Sequence, residues 1–495
     1  MRSTQNRTFI DRRHLGNFSS AAIIPGQTMA QVTAGEVESS TGGTLVSGSR
    51  DTIIPGISID SRTLMPGELF FAIRGPNADG HNYVASALAR GACGVVVDSG
   101  YELDQAPAGG PIVVRVQDTH QALKDLAAAV RRHWPGSLVG ITGSVGKTTT
   151  KEFVAHVLKS AYGVYHSPGN YNNLFGLPLS LFNLSDDDQI GIFEMGMSAR
   201  GEIAEMCRIA RPDAGVITAV AAVHLEFFDS LEEIAQAKGE LAQALEPNGT
   251  LVYNADDDLV QAIAGRFTGP KISFGLSPQA DVRGAEIELA GLKETRFTVS
   301  CEEVTRRAMI PMAGTHYVMN ALPAVALGRF YRIPMDQIIE SLKGLRYAPM
   351  RGEIVRFQEG FTLIDDSYNS NPAALRQMTE TLGKLRFSKR RILVAGEMLE
   401  LGKGSPELHY ECGNWAAACG IDIIVAVQGH ALELARGAAD NGVAESRFFH
   451  DVDSAREFVE RTLEPGDIVL VKGSRGVHLE KIVTALRARY PEEAK

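Results

Sequence analysis

No apolar run in these 495 residues approaches the ~18 needed to cross a bilayer, so no membrane insertion is expected. Basic residues are outnumbered, 49 Lys and Arg against 59 Asp and Glu, for a net charge of −10. Nucleic-acid binding needs a basic face and is therefore not expected. An anionic ligand would have to meet local basic residues. Cysteines are scarce: Cys93, Cys207, Cys301, Cys412 and Cys419 are odd in number and lack metal-ligand spacing. They fit small core residues of a protein in a reducing cytoplasm. Internal repeats and low-complexity tracts are absent. Residues 1–28 lack the apolar core of a secretory signal and carry Arg2, Arg7, Arg12 and Arg13 against Asp11. A disordered extension is expected there, with a transit-like segment as the alternative.

What is present is an ordinary globular composition, 44% hydrophobic and 22% charged, in a chain long enough for about three domains. Three blocks emerge, 29–116, 117–344 and 345–495. The first has short strands and turns, then a helix over 82–90 and a strand over 94–98. The second alternates strands (138–142, 190–195, 214–219, 251–254) with helices, the pattern of a parallel, doubly covered sheet. Its stretch 272–310 reads as antiparallel and is followed by a helix over 318–330. The third repeats the alternation with strands at 362–365, 391–395, 421–427 and 468–472, a Rossmann-like α/β unit whose ligands bind beyond the strands' carboxyl ends. The fold class is α/β in three domains.

The strongest local signal is Ile141-Thr142-Gly143-Ser144-Val145-Gly146-Lys147-Thr148-Thr149-Thr150, between an apolar strand and a helix. Such a turn aims backbone N–H groups and a positive helix end at one point, where phosphates bind. Lys147 can reach β- and γ-phosphates, and Thr148 or Thr149 can face Mg²⁺. Ile141 stands where a strict P-loop has its first glycine, with Gly140 and Gly143 around it. A nucleoside triphosphate is expected.

Other residues gather at the same sheet edge. Glu194 ends an apolar strand, where an acid beside a phosphate loop commonly holds Mg²⁺. His224 follows the next strand and reads either as a metal ligand or as a surface or packing histidine. In the helix over 231–245, Ile234, Lys238, Leu241 and Leu245 share one stripe, putting Lys238 on the apolar face. That spacing also suits a lysine running its amine outward. Burial would depress its pKa, and a neutral amine can take up CO₂ as a carbamate.

Thr142-Gly143-Ser144-Val145-Gly146-Lys147-Thr148-Thr149 resembles the ATP loop of the Mur ligase family, and the resemblance extends over nearly the whole chain. Ala237-Lys238 stands where that family carries a carbamylated, Mg²⁺-orienting lysine after a His-Leu-Glu-type motif, here His224-Leu225-Glu226. Asn172-Asn173 with Gly176 and Pro178 resembles the segment near the acceptor substrate. Gly314, His316, Asn320 and Ala321 resemble the motif whose Asn reads adenine. Ser58 to Arg62 resemble the uridine-nucleotide domain, in which Ser61 and Arg62 would meet a UDP-sugar, although Arg62 also reads as a surface arginine. Asp365-Asp366-Ser367-Tyr368-Asn369-Ser370-Asn371-Pro372 resembles the string of the dipeptide-adding branch. Its sister branches add single amino acids and are the alternative.

The resemblance implies a small N-terminal UDP-binding domain, a central P-loop ATPase domain with a mainly parallel sheet, and a closing C-terminal domain. It implies a cytoplasmic, monomeric enzyme of peptidoglycan synthesis that uses ATP and Mg²⁺. Its substrates would be UDP-N-acetylmuramoyl-tripeptide and D-alanyl-D-alanine, joined through an acyl phosphate. Gly143, Ser144, Val145, Gly146, Lys147, Thr148, Thr149, Asn320, Arg351, Asp366 and Asn369 would hold the nucleotide. Thr148, Glu194, His224 and carbamylated Lys238 would hold the metal, and Lys147, Lys238, His224 and Arg351 would serve catalysis. Ala219 and Glu397 stand where the family often has Asn and Asp.

Overall fold

The computed structural model describes residues 32–75, 78–102, 110–223, 225–385 and 389–493. The extension expected over residues 1–28 and His224 lie outside the described residues.

Three main sheets organise the chain. The first has five strands in the order Thr44–Ser47, Ile112–Val116, Gly94–Asp98, Leu69–Phe71 and Ile57–Ser58. All its pairs are parallel except the first. Asp79 caps a 3₁₀ turn at Gly80–Tyr83 before the helix Val84–Ala89, so the helix expected over 82–90 starts later. The helix Thr119–His133 is seated between this sheet and the next. Its residues Leu123, Leu126 and Ala127 join Leu69, Phe71, Val114, Leu138 and Phe193 in one core.

The central sheet has nine strands. From its middle outward run Thr250–Asn254, Ala214–Ile217, Ser137–Thr142, Ile190–Glu194 and Val164–His166, all parallel. The register pairs Glu194 with Ile141 and Ile217 with both Thr142 and Tyr253, which levels these strands' carboxyl ends. Helices cover both faces. On one side the helix Lys147–Leu158 packs with Thr315–Phe330 and Met335–Leu342. On the other, Glu202–Ala210 and Leu231–Ala244 bury their apolar stripes.

The antiparallel stretch expected over 272–310 begins later, at Val282. Val282–Ala290, Glu294–Cys301 and Val304–Ile310 form an antiparallel meander, but Lys271–Gly275 is parallel to both its neighbours. Asp281 explains the difference. Its carboxylate accepts from the Ser273 amide (2.9 Å) and hydroxyl (2.7 Å), folding the connection back beside the strand it left.

The third sheet runs Glu353–Arg356, Thr362–Asp365, Ile468–Lys472, Arg391–Gly396, Ile423–Val427 and Glu445–Phe449. Only its first pair is antiparallel. Two apolar layers cover its faces. Asn371 caps the helix Pro372–Lys384, its Oδ1 accepting from the Ala374 amide (2.9 Å), with Pro372 at the first helical position. No helix among the described residues is long and apolar enough to cross a membrane.

Candidate functional site

The phosphate loop is held from below by the neighbouring strand. Gly143 has φ +150° and Gly146 φ +86°, and a Cβ at either would overlap a side chain, Thr218 and Asn320 respectively. Glycine is therefore required at both positions. The Thr218 hydroxyl donates to the Val145 carbonyl (2.6 Å). The Ser144 amide donates to the Ala219 carbonyl (2.7 Å), and its hydroxyl donates to the Ala221 carbonyl (3.1 Å). Gly146 leads directly into the helix Lys147–Leu158, so the loop ends on a helix N-terminus. Thr149 is buried beneath it.

Lys147 is half-buried and turns back, its Nζ donating to the Gly143 carbonyl (2.8 Å). Burial lowers its pKa, Glu194 opposes that shift, and Arg351 adds to it. Thr148 donates its hydroxyl to Glu194 Oε2 (2.7 Å), and Asn172 Nδ2 donates to Glu194 Oε1 (2.8 Å). Glu194 is 2% exposed, and the partners of its carboxylate oxygens are this hydroxyl and this amide. A buried carboxylate served only by neutral donors, with a hydroxyl beside it, suits a hard cation that prefers oxygen. The residues present fit Mg²⁺.

Lys238 lies on the buried stripe of its helix, with Ile234, Leu241 and Leu245 all buried, which decides between the two readings of its spacing. The lysine is 2% exposed, and its Nζ has no hydrogen-bond partner among the described residues. Burial takes its pKa well below the usual lysine range, and the charge of Lys147 lowers it further. A neutral amine beside a phosphate loop is the species that can accept CO₂.

The third sheet supplies the opposite wall. Lys472 ends the strand Ile468–Lys472 and is 3% exposed; its Nζ donates to Asp366 Oδ2 (2.6 Å) and the Asn369 carbonyl (3.0 Å). Asn369 Oδ1 accepts from the Ser370 amide (2.9 Å). The Arg351 guanidinium stacks over the Tyr368 ring at 4.3 Å, and its carbonyl accepts from the Tyr317 hydroxyl (2.9 Å). Tyr317 belongs to the helix that also bears Asn320, whose Oδ1 accepts from the Thr150 hydroxyl (3.4 Å). That helix thus touches the phosphate-loop helix and the third domain at once. His316 beside it has its pKa pulled down to about 3, by burial first and then by Lys472.

The structure therefore brings Gly143 to Thr149, Glu194, Asn172, Asn320 and Arg351 around one edge, with Lys238 behind Lys147. Asn173 stands in the same segment, but its Oδ1 is engaged in capping, accepting from the Phe175 (3.1 Å) and Gly176 (2.8 Å) amides. Ser61 is buried in the first domain, and Arg62 is exposed and bound two ways by Asp60, at 2.9 and 2.7 Å. Sequence reasoning overlooked Thr218, Tyr317 and Lys151. Lys151 follows Lys147 by one helical turn, but a lysine so placed reads as solvated, and the carbonyls it meets belong to an irregular segment.

The Mur ligase middle domain matches residues 141–328, the Mur ligase glutamate ligase domain matches 350–475, and the Mur ligase catalytic domain matches 53–131. The chain belongs to the Mur ligase family.

Within that family it is similar to the UDP-N-acetylmuramoyl-tripeptide–D-alanyl-D-alanine ligase of Bacillus subtilis (strain 168). The two are 33% identical over 437 residues, 88% of this chain and 93% of the relative. Among solved structures, MurF from Acinetobacter baumannii superposes with a TM-score of 0.84 at 28% identity, covering 93% of this chain and all of that one. MurF from Thermotoga maritima in complex with ADP superposes with a TM-score of 0.75 at 26% identity, covering 88% and 97%.

Proposed function

We propose that this chain is an ATP-dependent amide ligase that joins D-alanyl-D-alanine to UDP-N-acetylmuramoyl-tripeptide, giving UDP-N-acetylmuramoyl-pentapeptide for peptidoglycan synthesis. One observation carries the reading. A phosphate loop, a buried acid–hydroxyl pair and a buried lysine whose pKa is held well down meet at one sheet edge, facing Arg351 and the Asp366–Lys472 pair of the third domain. The names of the relatives and the ADP-bound neighbour support the substrates and the use of ATP.

In the reaction the tripeptide's terminal carboxylate oxygen attacks the γ-phosphorus, the bond to the β-phosphate oxygen breaks, and ADP leaves an acyl phosphate. The dipeptide amine then attacks the acyl carbon, loses a proton, and phosphate departs. The first step brings two anions together, so neutralisation and alignment govern its rate. Lys147 and the helix N-terminus face the phosphates, and Arg351 supplies a second positive charge from the third domain. Thr148, Glu194, His224 and carbamylated Lys238 would hold Mg²⁺, which supplies further neutralisation at the phosphates when bound. Asn320 would meet the adenine, with Asp366 and Asn369 contacting the nucleotide from across the cleft. Asn172 and Asn173 would border the acceptor carboxylate, while Ser61 and Arg62 would hold its UDP moiety. Residues 29–116, 117–344 and 345–495 would be the UDP-binding, ATP-binding and closing domains of a monomer. Closure over the acyl phosphate would keep out water. Five free cysteines suit a cytoplasmic setting.

The test is phosphate release by the purified protein with ATP, Mg²⁺ and UDP-N-acetylmuramoyl-tripeptide, with and without D-alanyl-D-alanine, and the product's mass. Release that needs both substrates, with a pentapeptide product, is expected. Release with a single amino acid instead would move the enzyme to a sister step. No acceptor-dependent release would overturn the ligase reading.

A further inference from the structure

Lys151 is fully buried, 0% exposed, on the helix that begins with Lys147. The two lysines are four residues apart and so share one helix face. An ammonium group has three donors, and all three find acceptors here. Lys151 Nζ meets the Ser167 carbonyl at 2.5 Å, the Gly169 carbonyl at 3.3 Å and Glu152 Oε1 at 3.2 Å. Desolvating a charge is costly, and an apolar side chain would fill the same space without that cost. The charge must therefore do something that packing alone does not.

What it holds is an irregular segment. Residues 167–173 contain no strand or helix, and most of them are exposed. The opposite side of this segment is fastened to the end of the strand Ile190–Glu194. Ser167 Oγ accepts from the Glu194 amide (3.2 Å), the Asn172 carbonyl accepts from the Gly196 amide (2.7 Å), and Asn172 Nδ2 donates to Glu194 (2.8 Å). The segment that carries Asn172 is thus tied to the phosphate-loop helix through Lys151 and to the acid of the site through Ser167 and Asn172.

We infer that Lys151 is a positioning residue for the acceptor substrate. It fixes the 167–173 segment against the phosphate loop, so that the incoming carboxylate is registered relative to the γ-phosphate. Lys147 acts on the phosphates, and Lys151, one turn behind, acts on the loop that meets the carboxylate. This inference rests on the proposed ligase function, in which that loop borders UDP-N-acetylmuramoyl-tripeptide.

The experiment compares wild type and Lys151→Met as full-length proteins, by saturation kinetics in each substrate and by amide hydrogen exchange. The KM for UDP-N-acetylmuramoyl-tripeptide is expected to rise about tenfold while that for ATP changes by less than about twofold. Exchange should quicken over residues 167–173 and not over the strand Ser137–Thr142. A folded variant with an unchanged acceptor KM, or with both KM values raised alike, overturns the inference. Should Lys151→Met fail to fold, Lys151→Gln removes the charge but leaves an N–H donor for one of the two loop carbonyls. It carries the same split at about threefold, and an unchanged acceptor KM there is equally fatal. A wild type that turns over neither substrate sinks the ligase reading instead, and the exchange measurement still decides whether Lys151 holds the segment.

Discussion

Two buried lysines sit on the two helices that flank the phosphate loop, and they are opposites. Lys151 has three acceptors around its amine and holds a loop with them. Lys238, equally buried, has no partner among the described residues, and burial with the neighbouring charge of Lys147 drives its pKa far down. A buried lysine that is fully partnered is a structural clasp, whereas one left unpartnered is held ready for chemistry. The difference lies in what the surrounding backbone offers, namely two loop carbonyls in one case and an apolar helix face in the other.

The comparison can be broken in order of expected effect. Lys147→Ala should reduce kcat by about 10³-fold, because neither buried lysine can replace a charge aimed at the phosphates; single-turnover ADP formation checks this. Lys238→Met should lower kcat by about 10²-fold. Its melting temperature should hold or rise, because a lysine whose burial disfavours its charge leaves the apolar stripe. Lys151→Met should do the reverse to stability, losing about 2 kcal/mol as two carbonyls and a carboxylate lose their donor. Denaturant midpoints of the two variants, measured side by side, test whether the lysines differ as described.

How far these roles could be read beforehand depended on where their partners lay. The phosphate loop was legible because glycines at 143 and 146 are demanded by backbone geometry, and Lys238 because its stripe repeats at helical spacing. Lys151 was not, since a lysine within a helix reads as solvated and its partners are carbonyls of an irregular segment. Three short strands, Val164–His166, Glu353–Arg356 and Glu445–Phe449, also left no clear trace. Each is a half-exposed edge strand, without the apolar run that marks the central ones. Arg62 shows a further limit, because its tie to Asp60 two residues away is a local ion pair that spacing does not distinguish from a ligand contact.

A pH dependence sharpens the contrast with a third base, the half-buried His316. His316, with a pKa of about 3 in the folded protein, lies below its unfolded value of about 6.5. Between those limits the unfolded chain binds a proton that the folded one does not. Stability should therefore fall as pH drops through that window, by at most about 1.4 kcal/mol per pH unit from this residue. His316→Asn should flatten that slope in denaturant titrations taken across the window. An unchanged slope would mean that the imidazole is not held neutral.

The most direct test of the ligase mechanism follows an oxygen atom. With ¹⁸O in the terminal carboxylate of UDP-N-acetylmuramoyl-tripeptide, attack on the γ-phosphorus makes one labelled oxygen the bridge of the acyl phosphate. Mass analysis of the phosphate released during D-alanyl-D-alanine addition should then find one ¹⁸O per phosphate. Phosphate free of label would mean that water, not the carboxylate, takes the phosphoryl group, and the acyl-phosphate account would be wrong.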